Sequence, residues 1–440
     1  MVEVAVRRSN RAGAVLFRRF KSYNTCKRQG PRRAGESLIN ANSAIGVRCL
    51  VIAVVYDLIA YQTAGESHGR ALVAIVEGIP SGVPLTSDVI SQELARRQLG
   101  YGRGGRMKIE RDEGKILSGV RHGLTIGSPI AILIENADWK NWQAAMSPES
   151  PDSAVEPVTQ PRPGHADLPG ALKTGQEDIR NVLERASARE TAARVAAGSV
   201  AKAFLAEFGI DIVSHVVGIG EVKSDGRRPG PRDLPEVDRS PVRCFDDRAS
   251  SEMVKAIDKA ERLGDTLGGI FELIAYNCPP GLGGYATWAD RLDGRIAAAV
   301  MGIQAIKGVE IGDGFALSER LGSVAHDEIM YSPEKGYYRK TNRAGGIEGG
   351  VTNGEPVVVR AAMKPIPTLR RPLRTVDIRT KEARTALKER SDACAVPAAA
   401  VVGEAALALE LAKALVEKFG GDCLADIKGA VERYKERISE

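Results

Sequence analysis

The pattern of hydrophobic and polar residues changes abruptly near residue 60. Beyond it, short apolar runs that end at Gly or Pro alternate with longer stretches in which apolar residues recur at helical spacing. The first pattern predicts strands at residues 71–79 and 269–277. The second predicts helices at residues 187–208, 295–306 and 396–419. Strands and helices are interspersed, and no linker divides the chain after residue 60, so we predict one α+β domain.

Residues 1–58 have a different composition and are predicted to be an N-terminal extension. They contain 11 of the 62 Lys and Arg residues but only 3 of the 56 Asp and Glu residues. A targeting presequence, a disordered basic tail and translated sequence upstream of the true start all fit this composition, and we favour the last. The folded domain is therefore predicted to span residues 59–440.

The net charge of +6 lies in this extension, because the rest of the chain has a net charge of −2. A nucleic-acid-binding protein is expected to have a basic surface with interleaved aromatic residues, and aromatic residues make up only 5% of the chain. We predict no nucleic-acid partner, and a nucleic-acid-binding module is kept as an alternative class.

Membrane association and metal binding are not predicted. The longest apolar run, residues 49–60, is too short to span a bilayer and contains Asp57. The six cysteines form no Cys-x-x-Cys pair, and the histidines show no metal-ligand spacing. This cysteine usage is typical of reduced thiols in a cytoplasmic protein.

The segment Gly65-Glu66-Ser67-His68-Gly69 matches the nucleophile motif of hydrolases. That motif requires a helix directly after the serine, whereas residues 71–79 are predicted to be a strand. A serine hydrolase that uses Ser67 is therefore only an alternative. His68, flanked by small residues, can instead approach a substrate closely and act as a general acid.

Two further loops contain residues suited to binding anions. Arg103 and Arg106 are separated by glycines, which allow close backbone approach and leave the guanidinium groups available for carboxylate or phosphate. Each such charge-assisted hydrogen bond contributes about 1.5–3 kcal/mol. The glycines also match a dinucleotide-binding fingerprint, but they follow a predicted helix, so no Rossmann site is expected. The other loop, at residues 161–167, contains His165 beside a glycine.

Asp392 precedes the predicted helix at residues 396–419 and has two interpretations. It can stabilise the N-terminus of that helix, whose first turn contains Pro397. Alternatively, it can act as a carboxylate base beside a cofactor.

Six blocks of the chain together resemble the chorismate synthase family. They are residues 63–69, 100–110, 162–167, 184–191, 364–368 and 390–392, and they occur in the family's order from about residue 60 to the C-terminus. Any one block is weak evidence, but six in register are specific. The chain departs from the family at Ala186, where a second serine is common, and in its N-terminal extension.

The resemblance implies a fold, an activity and a catalytic domain at residues 59–440. The fold is a β-α-β sandwich with helices between antiparallel sheets, assembled as a homotetramer. The activity is that of a carbon–oxygen lyase in the last step of the shikimate pathway to aromatic amino acids. It converts 5-enolpyruvylshikimate 3-phosphate to chorismate and phosphate by a 1,4-anti elimination that requires reduced FMN. NADPH used by the enzyme itself and an external flavin reductase both remain as sources of reducing equivalents.

The resemblance also implies roles for individual residues. His68, helped by Ser67, protonates the leaving phosphate. Asp392 keeps the flavin N5 available as a base, and His165 stabilises the reduced flavin near its pyrimidine end. The candidates for binding the substrate, besides Ser67, are Arg97, Arg103, Arg106, Arg162, Arg189 and Arg390. The candidates for binding FMN are Arg185, Ala186, Ser187, Gln304, Ala305, Gly350, Lys364, Pro365, Ile366, Pro367, Thr368 and Arg390.

Overall fold

The computed structural model describes residues 58–104, 111–149, 154–389 and 392–439 of the chain. The helices in these ranges are α1 Ser87–Gln98, α2 Asp167–Thr174, α3 Arg180–Ala186, α4 Thr191–Ala206, α5 Leu234–Arg239, α6 Asp247–Arg262, α7 Leu292–Met301, α8 Gly322–Ala325, α9 Val396–Phe419 and α10 Leu424–Ser439. No helix in the described part of the chain is long and apolar enough to cross a membrane.

The strands are β1 Ala60–Ala64, β2 Ala71–Glu77, β3 Lys115–Ile116, β4 Val120–Arg121, β5 Leu124–Thr125, β6 Ile130–Glu135, β7 Asp211–Ile219, β8 Val222–Lys223, β9 Gly269–Tyr276, β10 Ile306–Ile311, β11 Ile329–Ser332, β12 Gly336–Arg339, β13 Ile347–Glu348, β14 Val351–Thr352, β15 Val357–Met363, β16 Arg374–Val376 and β17 Ala383–Thr385. Two sheets have the strand orders β1-β2-β6-β3 and β10-β15-β9-β7-β8. The paired strands run antiparallel, which confirms a mixed α+β fold.

Of the three predicted helices, one has the predicted boundaries and two differ at their ends. The predicted helix at residues 396–419 is found unchanged as α9, with Pro397 in its first turn and Gly420 at its end. The helix predicted from residue 187 begins later, at Thr191, because Ser187 first caps a short 3-10 turn. The helix predicted to reach residue 306 ends at Met301, since Ala305 has a positive φ of 67° and Ile306 begins β10.

The core is built around α4 and α9. Helix α4 packs against β2 and β6, α9 packs against β7 and β9, and the two helices pack on each other. Their backbones approach closely at Gly198, where an added Cβ would lie 2.3 Å from the Cβ of Ala405. Small residues at this crossing therefore allow the two helices to pack tightly.

Glu404 on α9 places a buried negative charge in this core. Its carboxylate accepts hydrogen bonds from Arg96 at 2.6 Å, Lys202 at 2.8 Å and Ser214 at 2.6 Å. Arg243 also lies within 3.4 Å of it. Burial would raise the pKa of Glu404, but the neighbouring positive charges bring it well below its usual value. The carboxylate thus links α1, α4 and α9 as an ion.

We expect Glu404→Gln to lower the free energy of unfolding by about 3–5 kcal/mol, because it leaves several buried cations without their anion. Urea unfolding at pH 7 measures this. The matched control is Glu417→Gln on the same helix, since the partner of the partly exposed Glu417 is Arg295 at 2.6 Å. The control should lose no more than about 1 kcal/mol.

The same variant should change the pH dependence of stability. The pKa of Glu404 is lowered on folding, so its contribution is full above about pH 4.3 and is lost as the pH falls toward the folded-state value. Wild-type stability should therefore fall more steeply below pH 4.3 than that of Glu404→Gln. Equal slopes in the two proteins would contradict the ionised state of Glu404.

Candidate active site

The turn between β1 and β2, residues 65–70, carries Ser67 and His68. Gly65 begins this turn with a φ of 101°, and a Cβ at this position would lie 2.3 Å from the carbonyl oxygen of Ala71. A strand, β2, follows Ser67, and not the helix that a hydrolase nucleophile requires. The structure therefore gives no support to the alternative of a serine hydrolase built on this motif.

His68 is held by α3. Its Nδ1 lies 3.0 Å from both carboxylate oxygens of Glu184, and its backbone N–H donates to Glu184 Oε2 at 2.8 Å. The imidazole stacks on Trp142, with the ring centroids 3.9 Å apart. The backbone N–H of Ser67 donates to the carbonyl of Glu184 at 3.0 Å. Both backbone and side-chain hydrogen bonds thus hold the 65–70 turn against α3.

A hydrogen bond between two serine side chains also connects this turn to the residue that follows α3. Ser187 Oγ donates to Ser67 Oγ at 3.1 Å and accepts from the backbone N–H of Arg189 at 3.3 Å. Ser67 is buried. Two predicted residues, Ser67 for the substrate and Ser187 for FMN, therefore lie in direct contact.

Arg97 and Arg189 lie together around one buried carboxylate, Asp112. Arg189 Nη1 donates to both Asp112 oxygens at 2.6 and 2.8 Å, and Arg97 Nη1 donates to Oδ2 at 3.4 Å. Arg189 Nε also donates to Asn136, whose amide donates to the carbonyl of Gly69 at 2.7 Å. These two arginines are thus tied to the end of the His68 turn.

The electrostatics at Arg97 favour a further anion. Burial lowers the pKa of its guanidinium to about 9, and the charges of Arg189 and Arg103 act in the same direction against that of Asp112. Three guanidinium groups, those of Arg97, Arg103 and Arg189, thus share the carboxylates of Asp112 and Asp392, so a further anion would be stabilised here.

Asp392 lies against the loop that follows α1. Its Oδ1 accepts from the backbone N–H of Gly104 at 2.6 Å, and its Oδ2 lies 3.1 Å from Arg103 Nη1. Helix α9 begins at Val396 with Ala395 as its cap, so Asp392 precedes the helix and is not one of its N-terminal residues. The predicted substrate ligands Arg106 and Arg390 lie outside the described residues.

The 162–167 loop forms a second charged cluster. Arg162 donates to Asp167 Oδ2 at 2.8 Å, to Thr368 Oγ1 at 3.0 Å and to Glu389 Oε2 at 2.9 Å. His165 Nδ1 is hydrogen-bonded to Asp167. Burial would raise the pKa of Asp167, but the hydrogen bonds from His165 and Arg162 bring it well below its usual value.

A cavity of about 430 Å³ lies beside the His68 turn, lined by Tyr61, Gln62, Thr63, Arg185, Glu190, Arg194 and Gln304. Arg185 Nη2 donates to Thr63 at 2.8 Å, and Glu190 accepts from Thr63 at 2.6 Å and from Gln304 Nε2 at 3.1 Å. Gln304 Oε1 is buried and accepts no hydrogen bond from the described residues. The cavity therefore offers cations and an amide acceptor that lacks a donor.

The predicted 364–368 segment joins this cavity to the 162–167 loop. The backbone N–H of Lys364 donates to the carbonyl of Ala305 at 2.9 Å, and the Lys364 ammonium donates to the carbonyl of Gly164. Ile366 accepts from Thr266 at 2.8 Å. Two of the predicted FMN residues, Ala305 and Lys364, are thus in direct contact. Thr368, at the end of the same segment, contacts the predicted substrate ligand Arg162.

Two predicted FMN residues are placed differently. Ala186 is the last residue of α3, between Arg185 and Ser187, and its methyl side chain has no polar atom, so only its backbone could hydrogen-bond to a cofactor. Gly350 lies in the turn between β13 and β14, where its carbonyl accepts from the backbone N–H of Leu292 at 3.0 Å. Among the described residues, the contacts of Gly350 do not reach the other predicted ligands.

Comparison with known proteins decides the family. The family model for chorismate synthase matches residues 59–416. The chain belongs to the chorismate synthase family. Enzymes of this family are carbon–oxygen lyases that convert 5-enolpyruvylshikimate 3-phosphate to chorismate with reduced FMN. Membership thus confirms the predicted lyase class and flavin dependence.

Individual chorismate synthases match over nearly their whole length. The chain is 55% identical to the enzyme of Mycobacterium avium, over 87% of this chain and 98% of that one. It is 57% identical to the enzyme of Symbiobacterium thermophilum, over 86% and 99%. A solved chorismate synthase structure is 45% identical, covers 87% of this chain and 98% of its own, and superimposes with a TM-score of 0.71.

The cavity fits the cofactor of this family. FMN has a phosphate and a ribityl chain with hydroxyl groups. Arg185 and Arg194 line the cavity and would supply positive charge for the phosphate. The buried Gln304 Oε1 requires a donor, which a hydroxyl or the flavin ring N–H can provide. The donor set is therefore compatible with FMN.

The interpretation of the sequence missed the carboxylates that hold these basic residues. Glu184 lies within the block at residues 184–191, and Asp112 lies just beyond the block at residues 100–110, but neither was given a role. The sequence offered one local signal for Glu184, which follows Arg180 by four residues, a spacing that pairs charges on a helix. Asp112 follows Arg111 directly, and its partners are distant in sequence, so no spacing reveals them.

We expect Asp112→Asn to lower the free energy of unfolding by about 3–5 kcal/mol, since two buried guanidinium groups lose their common anion. Chemical denaturation measures this. Asp225→Asn is the matched control, because it removes an exposed pair with Arg227 at 2.6 Å. A loss in Asp112→Asn as small as that of the control would show that Asp112 does not balance these charges.

Proposed function

We propose that the chain eliminates phosphate from 5-enolpyruvylshikimate 3-phosphate at the His68 turn. The observation that carries this proposal is one continuous hydrogen-bond network. It runs from His68 through Glu184, Ser67 and Ser187 to Arg189, Asp112 and Arg97. A candidate acid and two candidate anion ligands are thereby held in fixed relation to one another.

The arginines bind the anionic groups of the substrate. The substrate carries two carboxylates and a phosphate, and bidentate guanidinium groups are well suited to both. Contacts of Arg97 and Arg189 with Asp112 and Asn136 near the His68 turn support this, whereas Arg103 lies beside Asp392 and Arg162 belongs to the second cluster. Arg106 joins the proposal from its position among glycines and from the resemblance, and Arg390 joins it from the resemblance alone.

His68 donates a proton to the departing phosphate. The C–O bond breaks with its electrons passing to the phosphate, which is a better leaving group when protonated. A positioned general acid contributes roughly 10²–10⁴ in rate, or about 3–5 kcal/mol. Ser67, which precedes His68 in the turn, hydrogen-bonds to a phosphate oxygen in this proposal.

FMN is held by Arg185, Gln304 and the 364–368 segment in this proposal. When bound in its reduced form, FMN supplies the electron density and the base that a weakly acidic C–H bond requires. Asp392 and His165 are the titratable residues assigned to its vicinity, because both lie in loops that the resemblance places beside the flavin. Asp167 and Arg162 orient His165, and Gly104 and Arg103 orient Asp392.

The remaining expectations form part of the same proposal. The packing of α4 and α9 between the surfaces of the two sheets supports the sandwich architecture of the family. We further propose a homotetramer in the cytoplasm, with NADPH used by the enzyme itself or by an external flavin reductase to reduce FMN. Residues 1–58 are proposed to lie outside the catalytic domain, since the family match begins at residue 59.

The direct test is an anaerobic assay with photoreduced FMN and 5-enolpyruvylshikimate 3-phosphate, in which phosphate release is followed. We expect chorismate and phosphate to appear in equal amounts, and neither to form with oxidised FMN in air. Absence of phosphate release under reducing conditions would contradict the proposed function.

We expect His68→Ala and Asp392→Asn each to slow turnover at least about tenfold, the low end of the effect of a lost acid or base. Binding of FMN, followed by quenching of its fluorescence, should stay within about twofold of wild type in His68→Ala. His326→Ala is the control, because this exposed histidine lies outside the site. Near-normal turnover in either variant would remove that residue from the mechanism.

A further inference from the structure

The carboxylate of Glu184 contacts Nδ1 of His68, and the proposed function gives Glu184 no role. Both of its carboxylate oxygens lie 3.0 Å from His68 Nδ1. The side chain of Glu184 is 1% exposed and that of His68 is 15% exposed. An ionised carboxylate only accepts hydrogen bonds, so at this distance it holds a proton on His68 Nδ1.

The imidazole is also fixed in orientation. Glu184 Oε2 accepts from the backbone N–H of His68 at 2.8 Å, so the same carboxylate anchors both the backbone and the ring. One ring face stacks on Trp142 at an interplanar angle of 25°. Rotation of the ring about its side-chain bonds would break the carboxylate contact and the stacking together.

Arg180 keeps Glu184 ionised. Its Nη1 donates to Glu184 Oε1 at 3.1 Å, one turn away on α3, and its guanidinium lies 5.1 Å from the centroid of the Trp142 ring. Burial would raise the pKa of Glu184, but the hydrogen bonds from His68 and the charge of Arg180 hold it below its usual value. Glu184 and, behind it, Arg180 are thus charged groups on the Nδ1 side of His68.

We propose that Glu184 is the positioning residue of the general acid. It holds the Nδ1 proton of His68, so that the proton given to the phosphate comes from Nε2. When the C–O bond breaks, the phosphate takes the bonding electrons and this proton. Neutral His68 remains hydrogen-bonded to Glu184 and recovers a proton from solvent. This role rests on the proposed function of His68.

A purely structural role makes a different prediction. Glu184 also anchors the turn through its backbone carbonyl, which accepts from the N–H of Ser67 at 3.0 Å. A glutamine at this position keeps the backbone contact and the shape of the side chain, but it loses the charge. Glu184→Gln therefore separates electrostatic positioning from support of the turn.

The first measurement uses the protein without flavin or substrate. Histidine ring nitrogens are followed by NMR as a function of pH, and the His68 signals are identified by their absence in His68→Ala. Their chemical shifts report which ring nitrogen carries the proton when the ring is neutral. We expect Nδ1 to carry it in the wild type, and the share on Nε2 to rise in Glu184→Gln, because the glutamine lacks the charge that holds the Nδ1 proton. Glu177→Gln, which changes an exposed glutamate just before α3, should leave this distribution unchanged. An unchanged distribution in Glu184→Gln overturns the proposal.

The second measurement is turnover with reduced FMN. Glu184→Gln should lower kcat at least about tenfold and shift the alkaline limb of its pH profile to lower pH, while the KM for substrate stays within about twofold. Glu184→Asp, which retains the charge, should recover part of kcat. Loss of kcat without a shift of the profile, or equal loss in both variants, would show a structural role and overturn the proposal.

The two measurements separate this inference from the function on which it rests. If His68→Ala retains normal turnover, the function of His68 fails, whatever the NMR titration shows. If His68→Ala is inactive and Glu184→Gln turns over like wild type, only the role of Glu184 fails. Thermal unfolding of each variant within a few degrees of wild type establishes that the fold is intact.

Discussion

Balance of buried charge is the constraint on which this site depends. A substrate with three anionic groups requires several cations in a small volume, and these cations would repel one another in its absence. In the proposed site, a carboxylate lies beside each described basic residue: Glu184 beside His68, Asp112 between Arg97 and Arg189, Asp167 between Arg162 and His165, Glu190 near Arg185, and Asp392 beside Arg103. The basic groups are thereby held in place before the substrate arrives.

The same constraint explains the position of the site in the fold. Helix α3 supplies Glu184, and the 3-10 turn between α3 and α4 supplies Arg189 and Glu190. These residues meet the β1–β2 turn on one side and Gln304, just before β10, on the other. Helix α4 is itself fixed by α9, through the close approach at Gly198 and the buried Glu404. Packing of the core thus determines the distances between groups that carry the chemistry.

The sequence indicated the α+β class, helix α9 and strand β9, because these elements have long periodic patterns with clear capping or breaking residues. It also indicated His68 and the arginines through the family resemblance. It did not indicate their carboxylate partners, since Asp112 lies 77 positions from Arg189 and Glu184 lies 116 from His68. Pairings over such separations arise only when the chain folds, and no local periodicity encodes them. Likewise, the sequence did not indicate the positive φ at Ala305, so the helix predicted through residue 306 was too long at its C-terminus.

The most direct test of this account is a crystal structure of the protein with 5-enolpyruvylshikimate 3-phosphate and oxidised FMN. The account predicts the substrate phosphate within hydrogen-bond distance of His68 Nε2, with Glu184 still bound to Nδ1 and Asp112 still between Arg97 and Arg189. A phosphate bound away from His68, or carboxylates displaced from their basic partners by the substrate, would contradict it.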